Sequence, residues 1–301
     1  MINQYKRLDV FRCTHESHHS FGDMVSVYHV LKEKGCYPHG CVYFKWKCKK
    51  LDHKLPCPKS YEHVGKRCTS CANYYDEKIV KHPRLLLTQN DYRLFLDELR
   101  DFEIWLNSKK GKESSCAGTV SSVKPRFVLN RHYNRTSLSF KGFLLTFKEG
   151  FIGLIDFKDT FFALLSPSQQ GRLRLSEGDR LEFRATLRLD RGRIILGRVR
   201  GIEIEEKGDA EPWTTIEARK ALFLGKMSDH QYEKCIQCPY GSLVDIMETS
   251  TSQNKGSGNK RRKLLCLKGI SKPKDCIVQA SKDLRLAESL AEDYCKSGEI
   301  Y

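Results

Sequence analysis

Between residues 113 and 206 apolar and polar positions alternate in short runs: AGTVSSVKPRF, TSLSFKGFLLTF, FIGLIDF with TFFALLS, DRLEFRATLRL and GRIILGRVRGIEI. A period of two in β-branched and aromatic residues, broken by Gly, Asp and Pro, predicts five strands. PSQQGRLRLSEGD, between the third and fourth, is long enough for a short helical turn. Asp190-Arg191-Gly192 joins the last two as a hairpin, with Gly supplying a positive φ. Upstream the period changes. In TQNDYRLFLDELRDFEIWLNSKKGK, Tyr92, Phe95, Leu96, Leu99, Phe102 and Leu106 recur at helical spacing. Thr88 is the candidate N-cap, and Lys109, Lys110 and Gly111 mark the end. The aromatic stripe of this helix reads as core. Beyond the strands come a linker, KGDAEPW, a helix from Thr214 or Thr215 to about Gly225, and a last helix from near Ser281 through LRLAESLAEDY.

The first eighty residues have no long hydrophobic period and are rich in Cys, His, Tyr and Lys, which suits a small module held by something other than a large core. DMVSVYHVLKEKG is the best helix there. The chain thus divides into a Cys/His-rich module at 1–81, a helix at 82–112, the β region at 113–206, a linker and helix at 207–233, a four-cysteine module at 234–280 and a helix at 281–301. No stretch approaches the ~20 apolar residues of a membrane helix. MINQYKRLDVFRC has neither the apolar core nor the cleavage site of an export signal. The expectation is a soluble, cytoplasmic protein with no membrane partner.

Five strands, a short helix before the fourth and a closing hairpin in GDRLEFRATLRLDRGRIILGRVRGIEI resemble the OB-fold nucleic-acid-binding superfamily over the middle third of the chain. The resemblance implies a multi-domain α+β protein with a central five-stranded OB-like β-barrel, flanked by two small cysteine-rich metal-binding modules and amphipathic helices. It implies a groove for a nucleic-acid strand, single-stranded DNA or RNA, where cations follow phosphates and aromatics stack on bases. The chain offers Lys124, Arg126, Lys141, Arg184, Arg188, Arg193, Arg198 and Arg200, with Arg131 and Arg135, beside Phe127, Tyr133, Phe140, Phe143 and Phe147. Any one of these Phe is more at home in a core, so the arginines carry the expectation.

Composition points the same way. Lys and Arg number 53 against 37 acidic residues, a formal net charge of +16, with runs such as KWKCKK and KGSGNKRRK. Such a surplus favours a polyanionic partner. The 13 cysteines, in a chain with no export signal, suit metal better than disulfides. Cys235-Ile236-Gln237-Cys238 puts two thiolates on one turn, and Cys266 and Cys276 can complete a tetrahedral set. This arrangement resembles a zinc ribbon, although its second pair is C-x9-C. In the first module Cys68-Thr69-Ser70-Cys71 is the anchor, and its partner pair is either Cys36 with Cys41 or Cys48 with Cys57. Cys13 and His15, His18, His19, His39, His53 and His63 lie nearby, and one His of the first stretch can complete a site. Zinc is the expected ion. An iron-sulfur cluster is the alternative, without the compact ferredoxin run.

His15-Glu16-Ser17-His18-His19 has the H-E-x-x-H form of a zinc metallopeptidase, but the apolar helix that should carry it is missing. We expect a polar loop. With no phosphate loop, dinucleotide turn or nucleophile elbow, the leading expectation is a non-enzymatic nucleic-acid-binding protein. The alternatives are a redox or sensor protein, or a nucleic-acid-processing enzyme, that uses the cysteines directly.

Overall fold

The structure, a computed structural model, describes residues 1–132, 135–228, 233–249, 261–270 and 275–276. Tyr133, the tip of the C-terminal hairpin and the helix expected at 281–301 lie outside the described residues. The protein is α+β, with a large mixed sheet. It divides into two compact units, one of Ile2–Lys110 with Leu189–Ile194, the other of Met1, Gly111–Arg188 and the chain from Ile195 onward. Among the described residues no helix is long and apolar enough to cross a membrane.

The first unit contains β1 (Phe11–Arg12), β2 (Met24–Val25), β3 (Cys41–Cys48), α1 (Lys49–Asp52), β4 (Tyr74–Lys81), β5 (Arg84–Leu85) and α2 (Gln89–Lys109). β1 lies between β2 and β5, and β3 pairs with β4 as a separate antiparallel ribbon. α2 is the expected amphipathic helix. Thr88 caps it by accepting from the Asp91 N–H, and it buries Phe95, Leu99, Phe102, Trp105 and Leu106. Leu96, expected on the same face, is exposed, and Trp105 packs there instead. Tyr5 closes over this face with its ring edge-on to Phe102 at 5.2 Å, its hydroxyl donating to Glu103 at 2.9 Å.

DMVSVYHVLKEKG forms less helix than expected. Met24 and Val25 pair as β2, and only Tyr28–Glu33 coils, as a wide π turn. Val25, Val27 and Val30 are fully buried in this segment. Closely spaced β-branched residues restrict χ1 and favour extended backbone, which shortens the helix.

The second unit contains β6 (Glu113–His132), β7 (Arg135–Phe147), β8 (Gly150–Ile152), β9 (Ile155–Phe157), β10 (Phe161–Leu165), α3 (Pro167–Leu173), β11 (Arg180–Asp190) and β12 (Arg193–Glu206). It continues with α4 (Thr215–Leu224), β13 (Lys226–Ser228), α5 (Glu233–Gln237), β14 (Gly241–Thr249) and β15 (Arg261–Cys266). β7 pairs antiparallel with β6 and with β10. β10 pairs parallel with β12, β12 neighbours β11, and β11 pairs antiparallel with the start of β6. FIGLIDF, read as one strand, is the hairpin β8–β9. The far end of β6 takes β14 as a parallel partner, Val128–His132 against Asp245–Thr249, and β15 and β13 extend the sheet.

Alternation places Val120, Val123, Phe143, Leu145, Phe161, Ala163, Leu181, Phe183 and Ala185 inside. Phe147 and Phe161 stack with centroids 4.8 Å apart. A second cluster joins Phe127 and Leu129 to Ala221, Val244, Ile246, Leu265 and Leu267. α3 begins with a complete capping box between Ser166 and Gln169 and with Pro167 in its first turn. The loop after it is organised by Asp179, which is fully buried. Its carboxylate accepts from the Ser176 N–H at 2.9 Å, the Gly208 N–H at 2.9 Å and Lys207 Nζ at 2.6 Å.

Those donors would lose their acceptor in Asp179→Ala. The expected cost is about 2 to 4 kcal/mol, from stranded backbone N–H groups, measured as the urea midpoint; a change within error would show that water replaces the carboxylate.

Candidate metal centres and basic surfaces

The cysteines among the described residues are free thiols. In the second unit α5 carries Cys235, and the turn that follows carries Cys238, whose N–H donates to the Lys234 carbonyl at 3.1 Å. The Gly241 N–H then donates to the Cys238 carbonyl at 3.0 Å, and Gly241 faces Cys266 across the β14–β15 ladder. Beyond Cys266 the chain turns again, the Gly269 N–H reaching the Cys266 carbonyl at 3.2 Å. Two backbone turns thus present their cysteines to each other. Burial, and then the Cys238, Cys276 and Cys266 thiols, push the Cys235 pKa up. A cation near these thiols would act in the opposite direction.

Lys124 belongs to this cluster. Its Nζ donates at 2.5 Å to the carbonyl of Ile236, between Cys235 and Cys238. The residue expected on a nucleic-acid surface braces the cysteine turn instead. The Ser242 hydroxyl donates to the Pro125 carbonyl at 2.8 Å, a second tie between β14 and β6.

The first unit separates its cysteines into two neighbourhoods. Cys48 ends β3 opposite Tyr74, and the Lys49 N–H donates to the Asn73 carbonyl at 2.9 Å. Cys68 and Cys71 lie on the turn just before, where the Cys71 N–H meets the Cys68 carbonyl at 2.9 Å. Cys48 therefore lies across the ribbon from the Cys68–Cys71 turn. N–H groups of Tyr61 and Lys59 donate to the Cys57 sulfur and lower its pKa, as they would stabilise a metal-bound thiolate. Cys36 lies elsewhere: burial, then Cys41 and Cys13, push its thiol up. Of the rival residues, Cys48 is the one that the β3–β4 ladder brings beside the Cys68–Cys71 turn. Among the described residues no group of three or more His, Cys, Asp or Glu side chains is placed to hold a metal ion.

The H-E-x-x-H stretch is a 3-10 helix, Glu16–Phe21, capped by His15. With three residues per turn, positions i and i+3 align. His15 therefore aligns with His18, their ring centroids 5.4 Å apart, and not with His19, whose Nε2 faces the Thr14 carbonyl at 3.3 Å. The two histidines a peptidase requires on one α-helical face are not on one face.

On the β region, Lys141, Arg184, Arg188 and Arg198 are exposed and Arg126 is half-buried. Arg184 and Arg188 share the outward face of β11, while Arg198 and Arg200 share that of β12. Acidic neighbours engage part of the stripe. Arg200 pairs with both oxygens of Glu113, its Nη2 donating at 2.6 Å, and holds that carboxyl below the usual range. Arg193 pairs with Asp190 at 2.8 Å. Phe127, Phe143 and Phe147 are core and Phe140 packs against it, so these four are not a stacking surface.

Exposed aromatics occur at Phe151 on β8, at Phe223 on α4 and on the β3–β4 ribbon, where two stand on one face. Phe44 is 61% and Trp46 43% exposed, and both point to the face that also carries Val42 and Val80. Lys78 stands opposite Phe44 and is exposed. The signal was present in CVYFKWKC, where apolar residues alternate inside the basic run KWKCKK. Such alternation is what a ribbon strand shows.

No protein-family model, no curated protein and no solved structure matches this chain.

A β-carbon at Gly241 would collide with the Cys235 carbonyl oxygen. Gly241→Ala should therefore force the Cys235–Cys238 turn away from β14, costing about 1 to 3 kcal/mol. Faster amide exchange at Gly241 and Leu267 would report it; unchanged exchange would place the turn farther from β14 than these contacts imply.

Proposed function

We propose that this chain is a non-enzymatic nucleic-acid-binding protein, built on an OB-type barrel at 113–206 with zinc-held cysteine modules on either side in sequence. The observation that carries this reading is the circuit of pairings β6, β7, β10, β12, β11 and back to β6, with α3 between the third and fourth of these strands in the chain. Five strands arranged in that way match the OB resemblance, and OB folds use a strand face and neighbouring loops to hold oligonucleotides. The electrostatics suit the ligand. In the second unit exposed Lys141, Arg184, Arg188 and Arg198 suit phosphate contacts; by itself, the ribbon of the first unit offers Phe44 and Trp46 as flat apolar surface for unstacked bases.

The preferred partner is a single strand, DNA or RNA. A duplex presents its bases already stacked, whereas exposed Phe and Trp gain most from bases that are not. The cysteine neighbourhoods act here as structure: four thiolates around one ion replace the core that short, polar segments cannot build.

Arg184→Ala with Arg188→Ala should weaken binding to a short single-stranded oligonucleotide and reduce the salt slope by about 1.4, two phosphate contacts at ~0.7 each. Arg200→Ala, engaged by Glu113, should change the slope less. Phe44→Ala and Trp46→Ala should each weaken binding about 5- to 150-fold, from ~1 to 3 kcal/mol of stacking per base. Trp46 emission should be quenched on binding. Wild-type slopes and affinities in all of these would remove the nucleic-acid reading.

Metal content is tested separately. The purified protein should be colourless and contain stoichiometric zinc, and complete chelation should unfold the cysteine modules, because binding energy at such sites is folding energy. A brown protein with acid-labile sulfide would replace zinc by an iron-sulfur cluster; unchanged circular dichroism after metal removal would end the structural role.

A further inference from the structure

Two histidines in the first unit face each other through the same ring atom. His18 is carried by the 3-10 turn Glu16–Phe21 and His29 by the π turn Tyr28–Glu33. Their Nε2 atoms are 3.2 Å apart, with the rings close to perpendicular at 89°. His29 Nδ1 lies 2.9 Å from the Glu33 carboxylate one turn later. An acceptor-only carboxylate fixes the proton on Nδ1 and leaves the Nε2 lone pair aimed at His18. Two nitrogens at ~2.0 to 2.1 Å from a tetrahedral zinc ion stand about 3.3 Å apart. The 3.2 Å contact, a hydrogen bond when one Nε2 carries a proton, also matches a coordination edge.

Each turn also brings a buried thiol. Cys13 precedes the 3-10 turn, its N–H donating to the Asp23 carbonyl at 2.9 Å, and Cys36 follows the π turn, its N–H donating to the Val30 carbonyl at 3.0 Å. They are 2% and 4% exposed. The order is C-x4-H on the first turn and H-x6-C on the second, one sulfur and one nitrogen from each. Neighbouring histidines do not compete. His15 Nδ1 accepts from the Ser17 N–H at 3.1 Å, which places the ring proton on Nε2 and blocks that nitrogen, and His19 is turned toward Thr14.

We propose that Cys13, His18, His29 and Cys36 hold a zinc ion of their own, separate from the Cys48, Cys57, Cys68 and Cys71 neighbourhood, with Glu33 as the positioning residue behind His29. This rests on the metal-held reading of the first unit and goes beyond it: it removes Cys36 from the pair it forms in sequence with Cys41 and gives the H-E-x-x-H stretch a structural role. The two thiols close on the ion, while the two imidazoles already stand at its edge.

The test is zinc per full-length chain by mass spectrometry, with cobalt substitution to count thiolates. His29→Ala and Cys36→Ser should each lower the ratio by one ion, and the lost cobalt spectrum should be that of a two-sulfur, two-nitrogen site. His19→Ala and Cys41→Ser should keep every ion. Glu33→Gln should keep the ion but bind it about 10- to 100-fold more weakly in a chelator competition. Full zinc in both His18→Ala and His29→Ala, or loss of an ion in Cys41→Ser with none in Cys36→Ser, would overturn the assignment. If those histidine variants fail to fold, nitrogen NMR of the wild-type rings decides: a metal-bound Nε2 on both supports the site, and a proton on His18 Nε2 shared with His29 overturns it. A wild-type chain with no zinc would defeat the metal-held reading as well, whereas zinc-bearing protein indifferent to the histidines would defeat this inference alone.

Discussion

The second unit depends on the peptide groups of β6. A strand of twenty residues has hydrogen-bonding groups on both edges, and any that are buried without partners would be costly. β11 pairs along its first part, from Glu113 to Thr119, with β8 touching Cys116 and Ala117; β7 covers the stretch from Val120 to His132; β14 adds Val128 to His132 on the other edge. The strand bends to serve them. Its register against β7 shifts between Val120 and Ser122 and again between Pro125 and Phe127, and Pro125, which has no N–H to give, offers its carbonyl to Ser242. One strand thereby belongs to two cores, the first around Phe143 and Phe161 and the second around Val244 and Leu265.

This double membership explains where Lys124 sits. At the middle of β6 it lies between the two sets of partners, and the nearest strong acceptor is the carbonyl inside the Cys235–Cys238 turn. A cation donating there also sits close to thiols whose mutual field resists ionisation.

What was legible beforehand follows from what local pattern can encode. Strands β6, β7, β10, β11 and β12 were readable because each shows a period of two between turn residues, and α2 because six apolar positions keep helical spacing after a Thr cap. The attachment of β14 to β6 was not, since a parallel pairing between residues more than a hundred positions apart leaves no local trace. FIGLIDF reads as one apolar run, but Gly153 takes a φ of +65° and folds it into a hairpin. The roles of the cations were equally hidden: Arg184 and Arg200 look alike in sequence, and only the Glu113 carboxylate separates them. The aromatics were misplaced for a simpler reason. Phe is worth most where it leaves water completely, so Phe127, Phe143 and Phe147 went into the core, while Phe44 and Trp46 stay exposed on a ribbon whose two strands have no second layer of their own.

The same shortage of layers bears on the first unit. Its three-stranded sheet is built of two-residue strands, and its ribbon exposes Val42, Phe44, Trp46 and Val80. An isolated two-stranded hairpin is marginal in water. α2 supplies a core for Tyr5 and Phe11, yet the segments around Cys48, Cys57, Cys68 and Cys71 contribute few buried apolar side chains of their own. On the proposed reading, a metal ion held by cysteines at the ends of such a ribbon would supply a cross-link in place of a core. A cross-linked ribbon can leave aromatic side chains in water without collapsing onto them, and exposed aromatics on a basic scaffold are what an unstacked base requires.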